Sequence, residues 1–298
     1  MFDTIISATQ LQALQASAAP LMVFDCSFDL ANPAAGEAAF TDVRISGARY
    51  AHLERHLSHT APADDAASGG RHPLPTRGRF AAWLASIGFN ANMQAVVYDR
   101  NGTHYCGRMW WMLQWCGHAD VAVLDGGLAA WQAAGGATES GAGSDGKSAR
   151  KGDFDAHFSS KTPDVSVKSS LFTIETIVNG LADGAHTIID ARAAPRYRGE
   201  VEPLDPVAGH IPGALNRPFT SNFEANGCFK KPAQLRAEFD ALLAGRSLHN
   251  VVHHCGSGVT ANPNVIAMAL AGYPRTGLFA GSWSEWSRRT DLPVATGG

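Results

Sequence analysis

Residues 251–264, VVHHCGSGVTANPN, run a short apolar stretch into Cys255, set Gly256 and Gly258 around Ser257, and then take on a helical pattern. Glycine tolerates positive φ, so a Gly-Ser-Gly bend lets successive backbone N–H groups turn toward one point. Together with the N-terminus of a following helix, such groups stabilise an anion at the centre of the bend. A thiolate is such an anion, and Cys255 is therefore read as a nucleophile rather than as a core cysteine. The other four cysteines lie elsewhere: Cys26 in a strand-end segment, Cys106 and Cys116 in or beside an aromatic helix, and Cys228 in a polar loop.

The elements that must position this bend are strands alternating with helices. HTIIDA and NVVHHC read as strands and GLFAG as a further one, while PAQLRAEFDALLAG carries apolar residues at helical spacing and ends on a glycine suited to a C-cap. This alternation predicts a parallel sheet covered on both faces, in which ligands bind at the carboxyl ends of the strands. Cys255 stands at such an end.

The landmarks recur. Asp25 of MVFDCSFDL answers Asp190 of TIIDARAAP at a separation of 165, and Gly47 of RISGARY answers Gly213 of HIPGALN at 166. AVVYDRNG answers NVVHHCGS, and Trp131 of LDGGLAAW answers Trp286 of FAGSWSEW at 155. The chain therefore holds two copies of one α/β domain, expected at 1–136 and 164–298. The glycine- and serine-rich stretch within 137–163 is read as a linker. An extra loop, HLSHTAPADDAASGGRHPLP, lengthens the first copy, whose bend YDRNGTH has no cysteine.

With 45% hydrophobic and 17% charged residues in 298, the chain is long enough for two cores. Its formal net charge of −3 comes from interspersed charges, with no basic block to track a phosphate backbone, so no nucleic acid partner is expected. No stretch approaches a membrane span, and no signal or transit pattern opens the sequence, so the cytoplasm is the expected compartment. Five scattered cysteines in such a chain predict reduced thiols. His104, Cys106, Cys116 and His118 fit no familiar zinc spacing, so neither a metal nor a cofactor is expected.

The run CGSGVT (255–260), with DAR (190–192), GHIPGALN (209–216) and GSWSEW (281–286) at these separations, resembles the tandem-domain rhodanese family, and most of all its 3-mercaptopyruvate-using branch. The resemblance implies two tandem rhodanese-like domains, each a small doubly wound parallel sheet flanked by helices, with only the second catalytic. It implies a sulfurtransferase that carries sulfane sulfur as a persulfide on Cys255. The acceptor would be cyanide or a thiol, either a low-molecular-weight thiol or a reduced thioredoxin-like protein. It places a carboxylate-binding arginine at Arg196, and it matches His72 and Glu54 to a histidine and an acid that the first domain contributes. Ser257 is the natural hydroxyl to hydrogen-bond the donor or relay a proton. Gly256, Gly258, Val259 and Thr260 complete the loop around the donor.

Alternatives remain at this level. Arg192, directly after a strand, is either a donor contact or a structural ion-pair partner, and Arg196 and Arg198 also fit as solvated loop charges. Leu204 stands about where the branch places a second arginine, which favours thiosulfate as donor. The neutral Gly256 and Ser257 favour 3-mercaptopyruvate instead. A phosphatase of the same fold needs an arginine at position 261, which is Ala261. A non-enzymatic persulfide sensor or partner-binding module predicts a degraded loop, and this one is intact. His253 and His254 point to opposite faces of their strand, so at most one approaches the site.

Overall fold

Short β-branched and apolar runs separated by amphipathic segments build two parallel sheets with the same strand order. The computed structural model describes residues 1–60, 65–143, 151–155, 171–181, 184–248 and 250–298. In the first half these are β1 (Ile5–Ile6), α1 (Ala8–Ala16), β2 (Leu21–Asp25), α2 (Ala35–Asp42), β3 (Arg44–Ile45), β4 (Arg49–Tyr50), α3 (Arg77–Ser86), β5 (Gln94–Tyr98), α4 (Cys106–Trp115), β6 (Val121–Leu124), α5 (Gly127–Ala133) and β7 (Thr138–Glu139). In the second half they are β8 (Leu171–Phe172), α6 (Ile174–Leu181), β9 (Thr187–Asp190), α7 (Ala194–Tyr197), β10 (Leu215–Asn216), α8 (Pro232–Leu243), β11 (Val251–His254), α9 (Asn262–Leu270), β12 (Gly277–Phe279) and α10 (Ser282–Trp286).

The first sheet runs β1-β6-β5-β2-β4 and the second β8-β12-β11-β9-β10, every pairing parallel. The two orders coincide strand for strand, which is the expected α/β fold of two rhodanese-like domains. Repeat landmarks share conformation as well as position. Gly47 and Gly213 have φ of +77° and +79°. Trp131 and Trp286 are fully buried, and each indole N–H donates to a carbonyl a few residues on, Ala137 and Pro293, at 3.0 Å. A buried indole needs such an acceptor.

Local rules account for the helices around the second sheet. In α8 the buried Leu235, Phe239 and Leu243 recur every four residues along one face, and the helix packs against α9. Its end differs from expectation: Ala244, not the glycine, takes the left-handed cap with φ +47°, and Gly245 follows at φ +80°. Two successive left-handed residues complete the turn, and only the second is free of the Cβ clash. Helix α9 is buried from Asn262 to Met268 and α4 along its whole length, as the run MWWMLQW predicts.

By contact density the chain forms two compact units, and their membership does not follow the sequence halves. The first contains Met1–Thr60, Pro75–Val167 and Glu224–Phe229; the second contains Ala61–Leu74, Lys168–Phe223 and Lys230–Gly298. Much of the expected linker, at 144–150 and 156–163, lies outside the described residues, as does the 61–64 part of the extra loop. The start of the linker stretch forms β7, which pairs antiparallel with β3. Among the described residues no group of three or more His, Cys, Asp or Glu side chains is placed to hold a metal ion. No helix among them is long and apolar enough to cross a membrane.

Candidate active site

Strand β11 lies between β9 and β12 in the second sheet, and its carboxyl end delivers Cys255, 1% exposed, into the bend. Helix α10 grips the bend from below. The Cys255 N–H donates to Ser282 Oγ at 3.1 Å, while the carbonyls of Cys255 and Gly256 accept from the Trp283 and Ser284 N–H groups at 3.0 and 2.9 Å. Ser282 adopts φ +56°, and its hydroxyl in turn donates to Phe279 O at 2.9 Å. On the other side the Asn262 amide donates to the carbonyls of Gly258 and Val259 at 3.1 and 2.8 Å.

Gly258 has φ +72°, and a Cβ there would lie 2.2 Å from Ala280 O, so both backbone and space require glycine. With the loop carbonyls taken outward, no acceptor among the described residues engages the N–H groups of Gly256, Ser257, Val259 and Thr260. Those donors remain available to an anion in the loop.

Residues 65–74, which by sequence belong to the first copy's extra loop, are part of the same unit as Cys255. The Arg71 N–H donates to Ser284 Oγ at 2.9 Å. His72 Nδ1 lies 2.8 Å from Ser257 Oγ, both side chains buried. Arg71 and Arg196 both reach Gly256: Arg71 Nη2 and Arg196 Nη1 lie 3.2 and 3.5 Å from where a Cβ on that residue would sit. Glycine at 256 thus keeps the space beside two guanidiniums open.

Arg71 was not singled out from the sequence. It supplies the second cation whose expected place, Leu204, is a half-exposed apolar side chain, and Arg71 Nη1 instead meets the Leu204 carbonyl at 3.5 Å. Its only sequence signal is adjacency to His72, and nothing in a loop's composition says which surface it will cover.

The remaining candidates separate. Arg192 is buried, its guanidinium bonded to Asp190 at 2.7 Å, Glu202 at 3.2 Å and the Gly209 carbonyl at 2.7 Å, and it lies over the Trp283 ring at 4.6 Å. That is the geometry of the structural ion-pair alternative. Arg196 keeps part of its guanidinium exposed and pairs with Glu202 at 2.6 Å and Asp205 at 3.4 Å. Burial opposes ionisation of Glu202, yet its bonds from Arg196 and the Leu204 N–H hold its carboxyl below the usual range. Arg198 pairs with Glu200 at the surface. His253 and His254 are both fully buried, and desolvation pushes both rings below the usual histidine range, His253 to about 3. Glu54 lies in the first unit, half-buried, with its N–H donated to His52 Nδ1 at 3.1 Å.

The other thiols sit in different electrostatic settings. Burial, then the Asp25 and Asp99 carboxylates, push Cys26 well up, and burial and Asp99 do the same to Cys106. Burial takes Cys116 to about 12 against the pull of Arg77. Cys228 is half-buried, and desolvation followed by Asp125 raises it too.

Comparison with known proteins gives a consistent picture. A family model described as a rhodanese-like domain matches residues 7–134 and again 173–289. A Pseudomonas aeruginosa protein bearing the name probable 3-mercaptopyruvate sulfurtransferase is 45% identical over 294 residues, covering 98% of this chain and 98% of that one. A Mycobacterium tuberculosis protein, SseB, with a provisional thiosulfate sulfurtransferase name, is 35% identical over 303 residues, covering 99% and 98%. The crystal structure of the Escherichia coli 3-mercaptopyruvate sulfotransferase SseA superposes with a TM-score of 0.76 at 30% identity, covering 95% of this chain and all of that one.

Proposed function

The chain belongs to the rhodanese family as two rhodanese-like domains in tandem, it is a sulfurtransferase, and from that premise we propose that 3-mercaptopyruvate is its donor and Cys255 its sulfur carrier. The observation that carries this reading is the convergence of two guanidinium edges, Arg71 and Arg196, and the His72–Ser257 pair on one neutral glycine loop. A planar fork suits a carboxylate, and a hydroxyl suits the adjacent carbonyl.

The steps follow from these groups. The Cys255 thiolate attacks the donor sulfur. The donor's carbon–sulfur bond breaks, and its electron pair leaves with the carbon as a pyruvate enolate. The proton on the donor sulfur passes through Ser257 Oγ and His72 to that carbon, giving pyruvate and a Cys255 persulfide anion, held by the loop N–H groups. An acceptor thiolate then attacks the outer sulfur and releases Cys255 as thiolate. Low-molecular-weight thiols or a reduced thioredoxin-like protein fill the acceptor role. In this reading Arg192 orders the wall behind the site without touching donor, Glu54 is assigned no step, and the first domain carries no sulfur because Asp99 stands where the second has Cys255.

Thiosulfate is the second reading. The site's shape disfavours it, since the planar forks of Arg71 and Arg196 match a flat carboxylate with its adjacent carbonyl better than a tetrahedral sulfonate. Steady-state kcat/KM for the two donors, measured side by side, is expected to favour 3-mercaptopyruvate about tenfold, or roughly 1.4 kcal/mol in the transition state. Arg196→Ala is expected to lower kcat/KM for the keto acid ten- to a hundredfold, chiefly through KM. A wild-type preference for thiosulfate would replace this reading with the second one.

A further inference from the structure

Beside the loop the ionised side chains form an alternating row. Arg71 Nη1 meets Asp205 Oδ1 at 2.6 Å, and Asp205 Oδ2 meets Arg196 Nη2 at 3.4 Å. Arg196 meets Glu202, Glu202 meets Arg192 at 3.2 Å, and Arg192 meets Asp190. Three guanidiniums therefore face three carboxylates, and their formal charges cancel. The three carboxylate side chains are almost fully inaccessible to solvent, Asp205 at 0%, while Arg71 and Arg196 stay 23% and 19% exposed. The row thus turns its positive edges, and not its negative ones, toward Gly256. Two of those edges, Arg71 Nη2 and Arg196 Nη1, have no acceptor among the described residues, and neither has the buried Arg71 Nε.

Resting on the sulfur-transfer reading above, we propose that Asp205 is a specificity-determining residue: by bridging Arg71 and Arg196 it leaves the slot beside Gly256 without net charge, which admits a singly charged carboxylate and penalises a doubly charged donor. Its effect is part positioning and part repulsion. The shared carboxylate holds two flexible guanidiniums at one spacing, so their open edges converge. Its negative charge also opposes the incoming anion, and that opposition scales with the donor's charge, so it weighs twice as heavily on thiosulfate as on a carboxylate. The partial burial of the row keeps the interaction from being screened as a surface pair would be.

The test is the ratio of kcat/KM for thiosulfate to that for 3-mercaptopyruvate. Asp205→Asn keeps the shape and one acceptor oxygen while removing the charge, and it is expected to raise the ratio about tenfold, equivalent to about 1.4 kcal/mol. Asp205→Glu restores the charge and is expected to return the ratio to within about twofold of wild type. Should the asparagine variant fold poorly, Leu204→Asp adds a negative charge on a half-exposed side chain next in sequence. It is expected to lower the ratio about threefold. An unchanged ratio in these variants, or equal losses with both donors, overturns the proposal, because a purely structural role for Asp205 moves both donors together. A wild-type protein that loads sulfur from neither donor defeats the underlying functional reading instead, and the two failures are distinct.

Discussion

The two bends that close β5 and β11 have the same length and the same left-handed glycine, differ at the next residue, where only Thr103 of the first bend is left-handed (φ +67°), and differ in what fills them. Asp99 follows β5 as Cys255 follows β11, and Gly102 and Gly258 occupy the same place with φ of +73° and +72°. In the first bend the Asp99 carboxylate accepts from the N–H groups of Asn101, Thr103, Tyr105 and Cys106 at 2.8–3.0 Å. The bend supplies its own acceptor. In the second, the corresponding position carries a thiol, and the N–H groups of Gly256, Ser257, Val259 and Thr260 have no acceptor among the described residues. One architecture that gathers amides around a point therefore serves stability in one copy and is available for chemistry in the other.

The segments that reach each bend differ in the same sense. Residues 224–229 of the second half belong to the first unit, where Gly227 lies near Gly102, and the Phe229 N–H donates to Asp125 at 2.8 Å. The longer segment at the equivalent position of the first half belongs to the second unit and brings Arg71 and His72 to the Cys255 bend. The longer segment places a guanidinium and an imidazole beside its bend, where the shorter one contributes a turn.

The sharpest way to break the comparison is Cys255→Ser, which gives the second bend no sulfur carrier. Turnover is expected to fall at least about a thousandfold, and the mass gain of one sulfur on donor treatment to disappear. Serine at Cys26, Cys106, Cys116 or Cys228 is expected to leave that gain intact, and a persulfide on one of these with Cys255 unmodified would undo the assignment.

Alanine at the paired glycines comes next. Gly258→Ala meets both the left-handed φ and the Ala280 carbonyl, so kcat/KM is expected to drop about a hundredfold as the loop shifts. Gly102→Ala meets only the φ penalty, its nearest neighbour being Gly227 O at 3.4 Å, and is expected to cost about 1–2 kcal/mol in urea unfolding with turnover unchanged.

Asp99→Ala strips four amides of their shared acceptor inside a buried bend. A loss of about 3 kcal/mol is expected in the unfolding transition, with donor kcat/KM per folded molecule within about twofold of wild type. A large kinetic effect without loss of stability would mean that the first bend takes part in transfer.

The smallest expected effect concerns acid stability. The strand before the first bend ends in Val97-Tyr98, and the strand before the second in His253-His254. Neither ring nitrogen of His253 has a partner among the described residues, and burial lowers its folded value to about 3. Between about pH 6.5 and pH 3 the unfolded chain binds a proton that the folded chain refuses. Stability present above the ordinary histidine value is therefore lost as pH falls, by up to about 1.4 kcal/mol per unit for this group. His253→Val, the first copy's residue, forfeits no hydrogen bond and is expected to flatten that slope. Melting temperatures at pH 7 and pH 5 compare the two chains, and an unchanged slope would assign the acid sensitivity elsewhere.

What the sequence determined by itself was everything governed by neighbours along the chain. Strand-to-helix alternation, the glycine-bounded thiol, the two copies and the missing cysteine in the first are statements about local φ, ψ and periodicity, and these are written in residues a few positions apart. The capping of α8 at Ala244 shows the margin even there, since the glycine expected as the cap lies one residue beyond it. Only the tertiary structure decided that Arg71 stands where a cation was missed, that Arg192 is bound inside the wall while Arg196 faces the loop, and that Asp99 fills its own bend. His72 and Ser257 are 185 positions apart. Contacts of that range are selected by how whole sheets and helices pack, and an aperiodic loop such as SGGRHPLP carries no pattern that names the surface it will reach.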